Sequence, residues 1–202
     1  MVKETGFRIL FWILLFLVFV MRAYFGMRVR RAGERFLPDK PAIQREGWVM
    51  FTIRFVGFFL LIGWLVLYGI YPSWMDNLRF PLPDWLRWVG FALGLVSQAL
   101  WIWTQVELDT QWSAQLQLTE KHHLVDTGPY SVMRHPLYTA MTFWTTALAL
   151  VTANWIFAGI LVLVVGLFIA RVPREEAMMI EQFGEEYRAY IQRTGRFFPK
   201  WK

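Results

Sequence analysis

The chain has 202 residues, 56% hydrophobic and 18% aromatic, with no cysteine and a formal net charge of +6. Soluble domains are about 45–50% apolar, so the excess, gathered here into long runs, points to an integral membrane protein. The missing cysteines exclude disulfides, thiolate metal sites and a cysteine nucleophile. Without a basic stripe or a nucleic-acid fold signature, the positive charge reads as the loop Lys and Arg of a membrane protein, not as nucleic-acid binding.

The first predicted span covers residues 6–26. Its apolar run Ile9 to Met21 passes into Arg22 and Tyr24 without a small-x-small cleavage site, so it reads as a retained anchor. From Arg22 to Gly47 there are seven basic residues together with Pro38 and Pro41, a loop or interfacial segment. A second span is expected over Trp48–Ile70 and a proline-rich loop over Tyr71–Pro83. The third span, Asp84–Val106, carries Trp85 and Trp88 near one end and Trp101 and Trp103 near the other, where indoles favour the headgroup level. Residues 107–134 are polar, with a turn signal at Thr127-Gly128-Pro129 and the adjacent pair His122-His123.

From His135 to Ala170 there is no Asp, Glu, Lys or Arg. That stretch exceeds the roughly 20 residues of one span, and Asn154 sits at its middle. The reading is a helical hairpin, with arms near 137–152 and 155–171; one long tilted helix is the alternative. Charge chooses between them. The Arg22–Arg45 loop and the tail from Arg171 onward each hold seven basic residues, and the positive-inside rule wants both in the cytoplasm. An even number of spans must then separate them, which the hairpin supplies. This predicts an all-α, multi-pass protein of five spans, N-terminus outside, C-terminus and the 107–134 loop inside. The tail is expected to open as an amphipathic helix with Pro173 in its first turn. Ala177, Ile180, Phe183, Tyr187, Tyr190 and Ile191 recur near the 3.6 period, and Gly195 and Pro199 close the helix.

Two strings carry the polar chemistry: Gly128-Pro129-Tyr130 with Arg134-His135-Pro136 and Tyr138, and Arg171 with Glu175-Glu176. A hairpin brings them together at one membrane edge. Pro136 suits a first helical position, and the N–H groups of that turn favour an anion. Arg171 and Glu175 are one helical turn apart and can pair. An anion end, carboxylates and the faces of Tyr130 and Tyr138 suit a zwitterionic, adenine-bearing cofactor, though many ligands would fit. Singly, each residue has a plainer role: Arg134 and Arg171 as headgroup anchors, Glu175-Glu176 as a solvated face, His135 as a helix cap. No His-Glu-x-x-His pattern occurs, and no metal is expected.

Taken together, Gly-Pro-Tyr, Arg-His-Pro-x-Tyr, a hairpin, Arg-x-x-x-Glu-Glu and Phe183-Gly184-x-x-Tyr187 resemble the isoprenylcysteine carboxyl methyltransferase family and the related phospholipid methyltransferases. The resemblance covers about residues 88–200, including Trp112-Ser113, Leu124-Val125 and Phe198-Pro199; Ala140 stands where the family often has Gly. It implies an integral membrane enzyme using S-adenosylmethionine, with a methyltransferase core over 84–202 and a two-span region over 1–83. It further implies that Leu124, Val125, Gly128, Pro129, Tyr130, His135, Pro136, Tyr138, Glu175 and Glu176 bind the cofactor, Glu176 foremost. Arg171, steering the acceptor's carboxylate, and Arg134 are the candidate catalytic residues.

The acceptor would be lipophilic and enter from the bilayer, its carboxylate already ionised and in no need of a base. The same scaffold leaves open N-methylation of a phospholipid or small amine. Two other classes stand behind these: an NADPH-dependent membrane reductase, whose relatives are much longer, and a non-catalytic membrane adaptor. Oligomeric state is not read from the sequence.

Overall fold

The computed structural model describes residues 4–31, 48–71, 73–108 and 124–200. Arg35, Lys40, Arg45, Trp112, Ser113, Lys121, His122 and His123 lie outside the described residues. Among the described residues six α-helices follow in order: α1 Glu4–Arg31, α2 Trp48–Ile70, α3 Asp84–Leu108, α4 Pro136–Thr152, α5 Trp155–Phe183 and α6 Glu185–Arg193. Short 3-10 turns at Ser73–Leu78 and Gly128–Ser131 lie before α3 and α4. Among the described residues four helices are long and apolar enough to cross a membrane, namely α1, α2, α3 and α5. The 17 residues of α4 make a rod of about 25 Å, shorter than the ~30 Å hydrocarbon core.

The expected hairpin forms, and its turn falls at Ala153-Asn154. Ala153 takes the left-handed conformation (φ 46°), and the Asn154 side chain caps α5 by accepting from the Ile156 N–H at 2.9 Å. Helices α3 and α4 pack along most of their length. Two glycines make close approach possible: a Cβ on Gly90 would sit 2.6 Å from Leu150 Cβ of α4, and one on Gly94 would sit 2.7 Å from Leu14 Cδ1 of α1 and 3.3 Å from Ala147 Cβ of α4. Polar residues then tie the helices. The Ser97 hydroxyl donates to the Ala140 carbonyl at 2.9 Å, and the Gln98 amide donates to the Leu14 carbonyl at 2.8 Å. The main core joins Phe11 and Leu14 of α1, Tyr68 of α2, Leu148 and Val151 of α4 and Phe157 of α5. Residues before and after position 83 therefore share one core.

At the hairpin-turn end an ionic clasp closes the bundle. Arg87 is 2% exposed and donates twice to Glu4, at 2.8 and 2.9 Å, and twice to the Val151 carbonyl at the C-terminal end of α4. Its guanidinium lies 3.7 Å from the Phe7 ring centre, and Arg79 adds a second cation to Glu4 at 2.7 Å.

The tail departs from expectation. No separate helix starts at Pro173, which lies inside α5. A proline there forfeits one main-chain hydrogen bond, yet α5 runs ten residues beyond it to Phe183. The break comes at Gly184 (φ 54°, ψ −124°), a conformation that favours glycine. The apolar periodicity read as one helix is thus split between the end of α5 and the two-turn α6, whose Tyr187 and Tyr190 are buried.

Candidate active site

The hairpin sets the first arm of α4 against the far part of α5. Tyr138, in the first turn of α4, donates to Glu175 Oε1 at 2.6 Å. Arg171 Nε reaches the same oxygen at 2.6 Å from one turn earlier on α5. The Tyr138 ring stacks on His135 (centroids 5.5 Å apart, planes 2° apart) and on Phe168 (4.3 Å, 12°).

Glu176 points into a second, more enclosed set. Arg134 Nε donates to its Oε1 at 2.9 Å, and Arg196 Nη2 donates to its Oε2 at 2.6 Å. His135 bridges the two carboxylates: Nε2 is 3.4 Å from Glu176 Oε1 and Nδ1 is 3.8 Å from Glu175 Oε2. Nε2 is buried, and at 3.4 Å its N–H is not aimed well enough to count as a hydrogen bond. The side chains of Arg134 and Glu176 are only 8% and 9% exposed.

A strap following α6 completes the set. The Arg134 N–H donates to the Gly195 carbonyl at 2.9 Å and the His135 N–H to the Arg196 carbonyl at 3.0 Å. The Thr139 hydroxyl donates to the Phe197 carbonyl at 2.6 Å, and Phe197 lies against the His135 ring. Gly195 is required where the strap turns, because a Cβ there would collide with the Phe198 carbonyl. Strap carbonyls therefore flank the first turn of α4, accepting from the His135 N–H before it and the Thr139 hydroxyl after it. Arg134 Nη1 also donates to the Thr194 and Ile191 carbonyls, at 2.6 and 3.3 Å, and so caps the C-terminus of α6.

The turn before α4 forms the other wall. Gly128 adopts φ 54°, and a side chain there would strike the Glu107 carboxylate, which also accepts from the Thr127 hydroxyl. Pro129 is buried, and the Tyr130 carbonyl accepts from the Tyr190 hydroxyl at 2.7 Å. Burial pushes the Tyr130 phenol well above its ordinary range, with Tyr190, Tyr138, Glu175 and Glu107 adding to the effect. Leu124 and Val125 are half-buried in the irregular chain before this turn and take no part in the ionic network.

Of the sequence-predicted residues, Arg134, His135, Tyr138, Arg171, Glu175 and Glu176 form one connected network, with Pro136 buried at its base as the first residue of α4. Arg196, Thr194, Phe168, Phe197 and Glu107 were not singled out from sequence. Thr194, Arg196 and Phe197 lie around Gly195, whereas Phe168 and Glu107 sit within helices and carry no local signal, and the pairings span 20 residues or more in most cases. No group of three or more His, Cys, Asp or Glu able to hold a metal occurs among the described residues.

Every network residue except those of α6 and the strap falls in one contiguous segment. Residues 88–181 match the family model for isoprenylcysteine carboxyl methyltransferases. Protein-S-isoprenylcysteine O-methyltransferase B of Arabidopsis thaliana is 36% identical over 86 residues, 42% of this chain and 44% of that one. The nickel-cobalt-cadmium resistance protein NccN of Alcaligenes xylosoxydans xylosoxydans is 38% identical over 77 residues, 38% of this chain and 36% of that one. The chain therefore spans less than half the length of these curated relatives. The solved structure of the eukaryotic intramembrane Ras methyltransferase ICMT matches with a TM-score of 0.54 at 20% identity, over 81% of this chain and 54% of that one. At that identity the likeness is one of fold: an all-helical architecture with membrane-capable helices.

Proposed function

We propose that the chain is a multi-pass membrane methyltransferase that uses S-adenosylmethionine to esterify the carboxylate of a lipophilic, isoprenylcysteine-like acceptor. The observation that carries the reading is the pair of adjacent carboxylates, Glu175 and Glu176, each held by its own guanidinium beside stacked aromatic rings. The site's chemistry fits the donor: carboxylates for its ammonium and hydroxyl groups, guanidinium for its carboxylate, and the His135 and Tyr138 faces for its base. His135 Nε2, buried beside Glu176 without a well-aimed hydrogen bond, is a further polar atom suited to a ligand. When bound, the donor supplies an electrophilic methyl group on a sulfonium.

The chain's own residues do the rest by positioning and exclusion of water. Glu176, fixed by Arg134, presents a carboxylate of set orientation. Tyr138 and Arg171 fix Glu175 from facing helices. Arg171 is the cation suited to orient an acceptor carboxylate, a bidentate task for a guanidinium. An ionised carboxylate needs no proton removed, so no base is required. Phe168 and Phe197 keep the stacked rings dry. The proposed topology has five spans, α4 included, with the network and tail on the cytoplasmic side and the N-terminus outside. The acceptor then enters from the bilayer and the donor from the cytoplasm.

The test is transfer of labelled methyl from S-adenosylmethionine to N-acetyl-S-farnesylcysteine or to phosphatidylethanolamine vesicles. The expected product is base-labile and forms only with the cysteine acceptor. Label on phosphatidylethanolamine, or on neither, would count against the reading.

A further inference from the structure

Both oxygens of Glu176 are already in use. Oε1 accepts from Arg134 at 2.9 Å, with Arg196 Nε and His135 Nε2 each at 3.4 Å, and Oε2 accepts from Arg196 Nη2 at 2.6 Å. Oε1 is crowded by three donors while Oε2 meets Arg196 alone among the described residues, so a ligand group reaches Glu176 most directly on the Arg196 side. The two arginines differ in how far they can yield. Arg134 is 8% exposed and is held by the carbonyls of Ile191 and Thr194 as well, so moving it unseats the end of α6. The Arg196 side chain is 49% exposed. Its main chain is fixed, because the strap is bonded to Val132, Arg134, His135 and Thr139. Arg196 is thus a guanidinium that can swing at its tip while its Cα stays beside the site.

Charge decides what can enter such a pair. A lone cation at Glu176 would leave Arg196 without its partner, and a lone anion at Arg196 would compete with Glu176. A zwitterion whose two charges are one carbon apart satisfies both, inserting an ammonium at Glu176 and a carboxylate at Arg196 without burying net charge. The planar fork of arginine suits that carboxylate, which a point-charge lysine would hold less well.

We infer that the Glu176–Arg196 pair is the receptor for the α-amino-acid end of the methyl donor, with Arg196 binding its carboxylate. This rests on the methyl-donor reading above. No bond is made or broken; one ion pair is exchanged for two.

The test is calorimetry on the full chain with two probes: S-adenosylhomocysteine, and 5′-methylthioadenosine, which keeps the nucleoside and thioether but lacks the amino-acid end. For Arg196→Gln the expected result is a roughly 10- to 100-fold weaker S-adenosylhomocysteine affinity with methylthioadenosine affinity unchanged. Arg196→Lys should fall between, because it keeps the charge and loses the fork. Equal weakening of both probes would mean that Arg196 only shapes the site, and unchanged S-adenosylhomocysteine affinity would mean that it does not touch the ligand; either result overturns the inference. Failure of the unmodified chain to bind either probe would instead sink the methyl-donor reading itself.

Discussion

Replacing Arg134 with Gln separates positioning from catalysis. Arg134 is nearly buried and serves three acceptors on two elements: Glu176 on α5 and the carbonyls of Ile191 and Thr194 at the end of α6. Removing one partner of a buried ion pair costs about 3–5 kcal/mol. The lower end, about 3 kcal/mol, applies because Arg196 still holds the other Glu176 oxygen. For a chain of this size that is a fall in Tm of about 6–12 °C. The measurement is thermal unfolding of the purified full chain, followed by methyl transfer at a temperature where the variant is fully folded. A lower Tm with a raised donor KM and a largely retained kcat is expected. An unchanged Tm with transfer abolished would refute the reasoning and place Arg134 among the reacting groups.

Glu4→Gln tests the clasp at the opposite end. It leaves the buried Arg87 without its carboxylate, but Glu4 is 22% exposed and water can partly replace it, so a loss of about 2 kcal/mol is expected in unfolding measurements. Joint replacement of Glu4 and Arg87 by apolar residues should cost less than Arg87→Met with Glu4 intact. Tyr138→Phe keeps both ring stacks and removes one hydrogen bond to a charged acceptor. Donor affinity by calorimetry should fall about tenfold, and an unchanged value would show that the hydroxyl does not set Glu175. Burial raises the phenols of Tyr130, Tyr187 and Tyr190 above their ordinary value, so the folded state holds protons that the unfolded chain releases near pH 10. Stability is fully present below about pH 10 and should be lost as pH rises further. A Tm that is flat from pH 9 to pH 11 would contradict this.

The sequence made the hairpin legible because its signal is local: a long run without charge, broken at one asparagine. It placed the two polar strings at one end for the same reason. The tail was misread because periodicity continues across a glycine while the chain direction does not. Pro173 was weighed as a helix start, whereas the left-handed Gly184 made the break. Arg196 could not be told from its basic neighbours, because its pairing depends on a strap laid across α4 and not on spacing. Arg87 was hidden within a span for a similar reason; its partner, Glu4, is 83 residues away.

The hairpin arms are unequal, at 17 and 29 residues. Counted back from the turn, the level of Pro136 on α4 corresponds to about Arg171 on α5, so α5 overhangs its partner by roughly 18 Å. The network sits at that step. The shared turn acts as the zero mark of a ruler: residue count along each arm fixes both height and rotation. One residue inserted into α4 alone would turn Tyr138 by about 100° and raise it by about 1.5 Å relative to Glu175. The arms can therefore change in length only in compensating ways, whereas their lipid-facing side chains are free to vary.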